Sequence, residues 1–263
     1  MAQETIQFND GAAYEQMMGI WSRSAGGIFL DWLAPPKGLR WIDVGCGNGA
    51  FTELLIERCA PSEVQGIDPS EGQLAYARTR PGARRAEFRQ GDAMALPFPD
   101  GKFDAAVMAL VLVFVPEPVK GVAEMVRVVR PGGIVAAYMW DMLGGGFPGH
   151  PIIEEMRAMD LKPALPPQLD ASRREAMRDL WTGAGLEAVE TREITVQRTF
   201  ADFEEFWTIM LKSPSLGPKL AALAPGTAET LKKGIRARLP AADAKGRITY
   251  SAHANAVKGR RPK

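Results

Sequence analysis

The sequence predicts an α/β fold in which parallel strands are joined by crossover helices. Three observations lead there. Short β-branched runs alternate with longer amphipathic stretches, and a glycine-rich turn follows the first of those runs. In addition, 46% of the 263 residues are hydrophobic, enough to bury a sheet on both faces. Leu39 to Val44 is the first strand. After the glycine loop, Phe51 to Ile56 carries apolar residues at helical spacing, and the helix stops before Pro61. Val64 to Ile67 is a second strand, and Glu71 to Arg80 a helix closed by Pro81-Gly82. Ala86 to Arg89 is a third strand that leads into a polar loop. Phe103 to Phe114 is almost continuously apolar, as a strand covered on both faces must be, and predicts a fourth strand over that whole length. Val119 to Val129 is a helix broken by Arg130-Pro131-Gly132-Gly133, and Ile134 to Trp140 is a fifth strand.

Beyond Asp141 the texture changes. Gly144-Gly145-Gly146 opens a segment rich in Gly, Pro and Met that runs to about Pro167 and reads as a mobile loop or lid. Ser172 to Trp181 is then a helix, Leu186 to Phe200 a long strand, Phe203 to Leu211 and Ala228 to Leu239 two helices, and Ile248 to Val257 the last strand. Residues 258–263 read as a solvated basic tail. The chain is read as a single domain over 1–263. Its parts are an N-terminal helical cover (1–38), a ligand-binding core (39–140), a lid or acceptor-side insertion (141–171), the C-terminal half of the sheet (172–257) and the tail.

Composition narrows the function. The 32 basic and 31 acidic side chains nearly cancel, so no global field draws the chain to nucleic acid or to an anionic membrane. Cys46 and Cys59 are the only cysteines, too few for a disulfide framework or a thiolate zinc cage, and they suit a reducing compartment. With no apolar run long enough to span a bilayer and no basic-then-apolar start, the expected location is the cytoplasm.

The chemistry concentrates where the first strand turns into a helix, at Ile42-Asp43-Val44-Gly45-Cys46-Gly47-Asn48-Gly49. Glycines there let the backbone take positive φ and let a ligand approach without meeting a Cβ. Gly45, Gly47 and Ala50 also satisfy a dinucleotide fingerprint, with Asp68 about 20 residues on to hold a ribose. Asp43, two positions before the first glycine, argues against that ligand: a carboxylate beside the loop repels a pyrophosphate and welcomes a cation. Asp68, in Gly66-Ile67-Asp68-Pro69-Ser70, is placed to accept from both hydroxyls of a ribose. Gly91-Asp92-Ala93 follows the third strand, where a carboxylate can accept from an adenine amino group while Ala93 and Met94 offer backbone and apolar contact. These acids all face the C-terminal edge of the sheet, where doubly wound sheets bind ligands. A ligand with an adenosyl group and positive charge, adenosylmethionine, fits all three.

Over Trp41 to Trp140 the chain resembles the class I methyltransferases, most closely the methyltransferase type 11 subfamily that includes enzymes of ubiquinone and menaquinone biosynthesis. The matching stretches are residues 42–49, Gly66 to Ser70, Gly91-Asp92-Ala93 with Leu96 to Asp104, and Val126 to Gly133. The resemblance implies a Rossmann-like, doubly wound sheet of about seven strands, mostly parallel with the last antiparallel. It also implies adenosylmethionine lying across Gly45, Cys46, Gly47, Asp68, Pro69, Gln73, Asp92 and Leu110, with adenosylhomocysteine as product. Tyr14 to Arg23 resembles the N-terminal helix that covers the cofactor in such enzymes. Arg23 is accordingly expected on the methionine carboxylate and Tyr14 at the sulfonium.

Displacement of a methyl group from a sulfonium needs alignment and a dry cavity, and no metal or covalent nucleophile. A base matters only where the acceptor must lose a proton. Of the two histidines, His150 in the lid segment is the one candidate base; Val113 and Phe114 stand where relatives often carry a histidine. Met139, Met142, Met156 and Met159, with Trp140 and Phe147, suit a small apolar or aromatic acceptor. The competing readings are an NAD-dependent oxidoreductase, a nucleic-acid methyltransferase and a non-catalytic adenosylmethionine-binding regulator. The first conflicts with the acids at Asp43 and Asp92. The second conflicts with Val115-Pro116-Glu117-Pro118, which stands where base-amine methyltransferases carry an Asp/Asn-Pro-Pro-aromatic run.

Overall fold

The computed structural model describes residues 11–263, the side chains of residues 13 and 14 excepted. Seven strands form one sheet: β1 (Arg40–Val44), β2 (Glu63–Asp68), β3 (Ala86–Gln90), β4 (Phe103–Ala109), β5 (Val129–Trp140), β6 (Glu187–Phe200) and β7 (Ile248–Arg260). Their order is β3-β2-β1-β4-β5-β7-β6. The first five pair in parallel, and β7 runs antiparallel to both β5 and β6. This is the mostly parallel, doubly wound sheet with an antiparallel last strand that the sequence predicts.

The helices are α1 (Gly11–Leu33), α2 (Ala50–Cys59), α3 (Glu71–Thr79), α4 (Pro118–Val128), α5 (His150–Ala158), α6 (Arg174–Gly183), α7 (Phe203–Met210), α8 (Gly217–Ala221) and α9 (Pro225–Arg238). α1 packs against α2, α3 and β6, while α4 and α6 pack together on β5, β6 and β7. Helices thus cover both faces. The strand order reverses between β1 and β4, and the crevice at the C-terminal ends of those two strands is where an open sheet of this kind takes a ligand.

Among the described residues the N-terminal cover is one helix. Met17, Trp21, Ala25, Phe29 and Leu33 recur every fourth residue, and all five are buried. Trp21 meets Trp140 edge-to-face at 6.4 Å and lies at the same centroid distance from Phe200 and Tyr250. Each large side chain on that stripe contributes about 1.5–3 kcal/mol by burial, so α1 is part of the core.

Several elements differ from the sequence reading. The fourth strand ends at Ala109, short of Phe114, because Leu110 turns the chain with φ of 63° and a 3-10 turn over Leu112–Phe114 follows. Arg130-Pro131-Gly132-Gly133 does not separate helix from strand: it opens β5, whose pairing with β4 shifts register there to accommodate it. The segment read as a mobile loop contains α5, which begins with a proline in its first turn and buries Ile152, Ile153 and Met156. Its Glu155 accepts from Arg238 of α9 at 2.7 Å. The basic tail is not a frayed end. β7 runs to Arg260, and the Arg261 guanidinium donates to the carbonyls of Val126, Arg127 and Val129, satisfying acceptors left open where α4 ends. α8 was not anticipated. Among the described residues no helix is long and apolar enough to cross a membrane.

Candidate functional site

The glycine loop is shaped by its neighbours. Gly45, Gly47 and Gly49 have φ of 74°, 51° and 78°, the left-handed region in which a Cβ is strained. At Gly45 a Cβ would also lie 2.5 Å from the Val111 methyls, so only glycine lets the ends of β1 and β4 come this close. The loop is tied down from behind. Gly45 N and Cys46 N both donate to Ile67 O, at 2.7 and 3.0 Å. The nearly buried Arg80 donates to Asn48 O at 2.6 Å and pairs with Glu53 at 3.0 Å and with Glu15, joining α1, α2 and the loop.

In front of this loop lies a cavity of about 410 Å³, a volume suited to a cofactor-sized molecule. Its walls include Gly45, Cys46, Gly47, Asp68, Pro69, Gln73, Gly91, Asp92, Ala93 and Leu110, ten of the residues singled out from sequence. Asp68 is mostly buried and already engaged: its Oδ2 accepts from Gly47 N at 2.9 Å and its Oδ1 from Ser70 N at 2.8 Å. Each oxygen keeps a lone pair for a ligand hydroxyl. Burial pushes its pKa up, against those two hydrogen bonds. Asp92 is exposed and accepts from Met94 N at 2.8 Å. Gln73 is 2% exposed, and neither atom of its amide has a partner among the described residues. A buried amide facing a cavity without partners costs free energy that a bound polar ligand recovers.

Asp43 does not line the cavity. It is fully buried behind the loop, where Thr52 Oγ1 donates to its Oδ2 at 2.6 Å and its Oδ1 has no partner among the described residues. Burial raises its pKa to about 7, with the nearby Asp68 charge adding to the effect and the Thr52 hydrogen bond opposing it. Cys46 lines the wall as a thiol, its pKa raised first by burial and then by the Asp43 and Asp68 charges.

Of four further expected residues, three do not line the cavity and one lies outside the described residues. Arg23 points away from the cavity to α2, where Glu57 and Glu53 lie 2.8 and 3.8 Å from its guanidinium. The residue before it, Ser22, lines the cavity instead, with a buried Oγ that has no partner among the described residues. Met94 lies outside the wall and packs on the core. His150 sits at the start of α5 beside Gly145 and is among the lining residues of neither this cavity nor the smaller one. Burial lowers its pKa. The Tyr14 side chain lies outside the described residues.

Sequence reasoning missed Ser22 and Tyr138, which also line the cavity. Leu110, expected at the site, holds φ of 63°, a strained conformation for a leucine. Among the described residues the cavity walls carry two carboxylates and no lysine, arginine or histidine. Such a wall attracts a cation and repels a pyrophosphate.

Comparison with known proteins agrees. Residues 42–137 match the family described as Methyltransferase domain. A demethylmenaquinone methyltransferase of Desulfitobacterium hafniense is 38% identical over 117 residues, 43% of this chain and 46% of that protein. Its Staphylococcus aureus counterpart is 35% identical over 132 residues, 49% and 53% of the two chains. The chain therefore spans about half the length of the curated relatives it matches. Among solved structures, phosphoethanolamine N-methyltransferase 2 of Haemonchus contortus, in complex with S-adenosyl-L-methionine, shares the fold at a TM-score of 0.60 and 18% identity, over 95% of this chain and 56% of that one. The YcgJ protein of Bacillus subtilis does so at 0.58 and 16%, over 91% and 98%. Over Ile42 to Ala137 the chain is thus similar to a methyltransferase domain.

Proposed function

We propose that this chain transfers the methyl group of adenosylmethionine to a small molecule, working as one domain in the cytoplasm. The observation that carries the reading is the wall with two carboxylates and no cationic side chain among the described residues. The orphaned amide of Gln73 and the orphaned hydroxyl of Ser22 fit a ligand that brings its own donors and acceptors. In this reading Asp68 holds the ribose hydroxyls, and Asp92 with the backbone of Gly91 and Ala93 holds the adenine. Gly45 to Gly47 and Gln73 hold the amino-acid end, with Ser22 supplying the contact once expected of Arg23. Asp43 acts from behind the loop as a buried negative charge. Bound adenosylmethionine supplies an activated methyl on a sulfonium, ready for in-line displacement. The protein contributes alignment and exclusion of water.

Calorimetric titration with adenosylmethionine, adenosylhomocysteine and NAD tests this. Binding of the two adenosyl ligands and not of NAD is the expected result. Binding of NAD alone would reject the reading.

A further inference from the structure

A second, smaller cavity of about 50 Å³ adjoins the first, the two sharing Leu110 and Phe114. It has room for roughly four water-sized groups, the reacting end of a small molecule. Its walls come from α1 (Met17, Met18), from the end of β5 (Met139, Trp140) and from the segments around Leu165 and Pro214. None of its described lining residues is ionisable. Several charged groups on the surrounding elements have partners of their own. Arg198 donates to Met17 O at 3.3 Å, and Lys212 donates to Gln16. Asp141 accepts from Gly144 N at 2.8 Å and lies 3.7 Å from His253, and His150 sits beside Gly145.

Two polar groups remain. The Ser215 hydroxyl is 3.1 Å from Ser213 Oγ. The indole N–H of Trp140, a residue 2% exposed, has no partner among the described residues. Among the described residues, the side chains lining the chamber therefore include a buried indole donor, one hydroxyl and no base. A reacting amine has N–H groups that would go unsatisfied there, and its methylation would leave a cation in an apolar site. An alkyl alcohol would need a base to remove its proton. An anion that sheds its proton before entry meets neither obstacle, because it accepts from the indole N–H and its attack on a sulfonium cancels two charges, which an apolar site favours.

On the reading that the larger cavity holds adenosylmethionine, we propose that this chamber takes an apolar thiol or acidic phenol as its anion, with the Trp140 N–H donating to the sulfur or oxygen that receives the methyl. The proton goes to water beforehand. The anion's electron pair forms the new bond to the methyl carbon, the carbon–sulfonium bond breaks with its pair passing to sulfur, and a neutral thioether or ether leaves with adenosylhomocysteine.

The test uses ring-substituted thiophenols of graded acidity. With adenosylmethionine saturating at every pH, so that the titration of Asp43 does not enter, the pH at which kcat/KM for the probe turns over should follow each probe's own pKa; an inflection fixed at one pH across the series would reveal a protein base and overturn the proposal. With an unreactive ammonium analogue of the cofactor bound, 4-nitrothiophenol should bind with the absorbance of its thiolate, and binding as the neutral thiol would contradict it. Trp140→Phe should lower thiophenol binding and kcat/KM by about tenfold or more while adenosylmethionine affinity stays within twofold. Unchanged thiophenol binding in that variant would remove the indole's role. Should adenosylmethionine bind and no thiophenol or nitrophenol be methylated, the acceptor class is wrong and the cofactor reading stands. Should adenosylmethionine itself fail to bind, both fall.

Discussion

The two cavities are built on opposite principles. The larger carries the charged and most of the polar groups, on glycines and acids that arrive in short consecutive motifs after β1, β2 and β3. The smaller is apolar, assembled from side chains as far apart in sequence as Met17 and Pro214. The first demands particular residues at particular φ values, whereas the second demands only bulk, which many side chains supply. Substitutions should accordingly be costly and specific at the glycine loop, and graded at the chamber.

The sharpest break between the two regions is expected at Gly45. Gly45→Ala places a Cβ at φ of 74° and against the Val111 methyls, adding about 1–3 kcal/mol of backbone strain and closing the cavity. Adenosylmethionine binding measured by calorimetry should fall at least tenfold. Asp68→Ala comes next, with about 1.5–3 kcal/mol of cofactor affinity lost through hydrogen bonds to a charged acceptor. Because Asp68 also anchors Gly47 N and Ser70 N, Asp68→Asn, which keeps one side-chain acceptor, should lose less. Full retention of affinity in both variants would remove Asp68 from the ribose site.

A pH effect should follow in size. Burial lifts Asp43 from 3.8 to about 7, so between those values the folded chain holds a proton that the unfolded chain has released. The contribution of Asp43 therefore favours folding at low pH and is lost as pH rises through about 7. A cationic ligand favours the ionised form, so adenosylmethionine affinity should rise from pH 6 to 8. Asp43→Asn should flatten both trends, as urea melts and titrations at each pH would record; an unaltered slope would assign it to another group. The smallest effect belongs to Arg23→Ala. An exposed pair contributes at most about 1 kcal/mol, so stability should change little and cofactor affinity not at all.

Legibility in the sequence follows the same division. The mostly parallel sheet was readable because most strands are short apolar or β-branched runs between turn signals. The loop and its acids were readable because their function requires glycine and carboxylate at fixed spacing. Which face of α1 met the cavity was not readable. One residue along a helix is a rotation of about 100°, and this separates Ser22 inside from Arg23 outside. The end of β4 was hidden because Leu110 to Phe114 is as apolar as the strand, and only the backbone turn at Leu110 marks it. α5 was masked by the glycines and prolines that flank its buried Ile152, Ile153 and Met156. The chamber was visible only as an apolar texture, because its walls meet through tertiary packing.

The most direct measurement of the central claim is a crystal structure with adenosylmethionine added. The adenosyl group should lie against Asp68 and Gly91 to Ala93, with the sulfonium beside Leu110 at the junction of the two cavities. A ligand bound elsewhere, or a pyrophosphate seated on Gly47, would contradict a carboxylate-walled site selected for a cation.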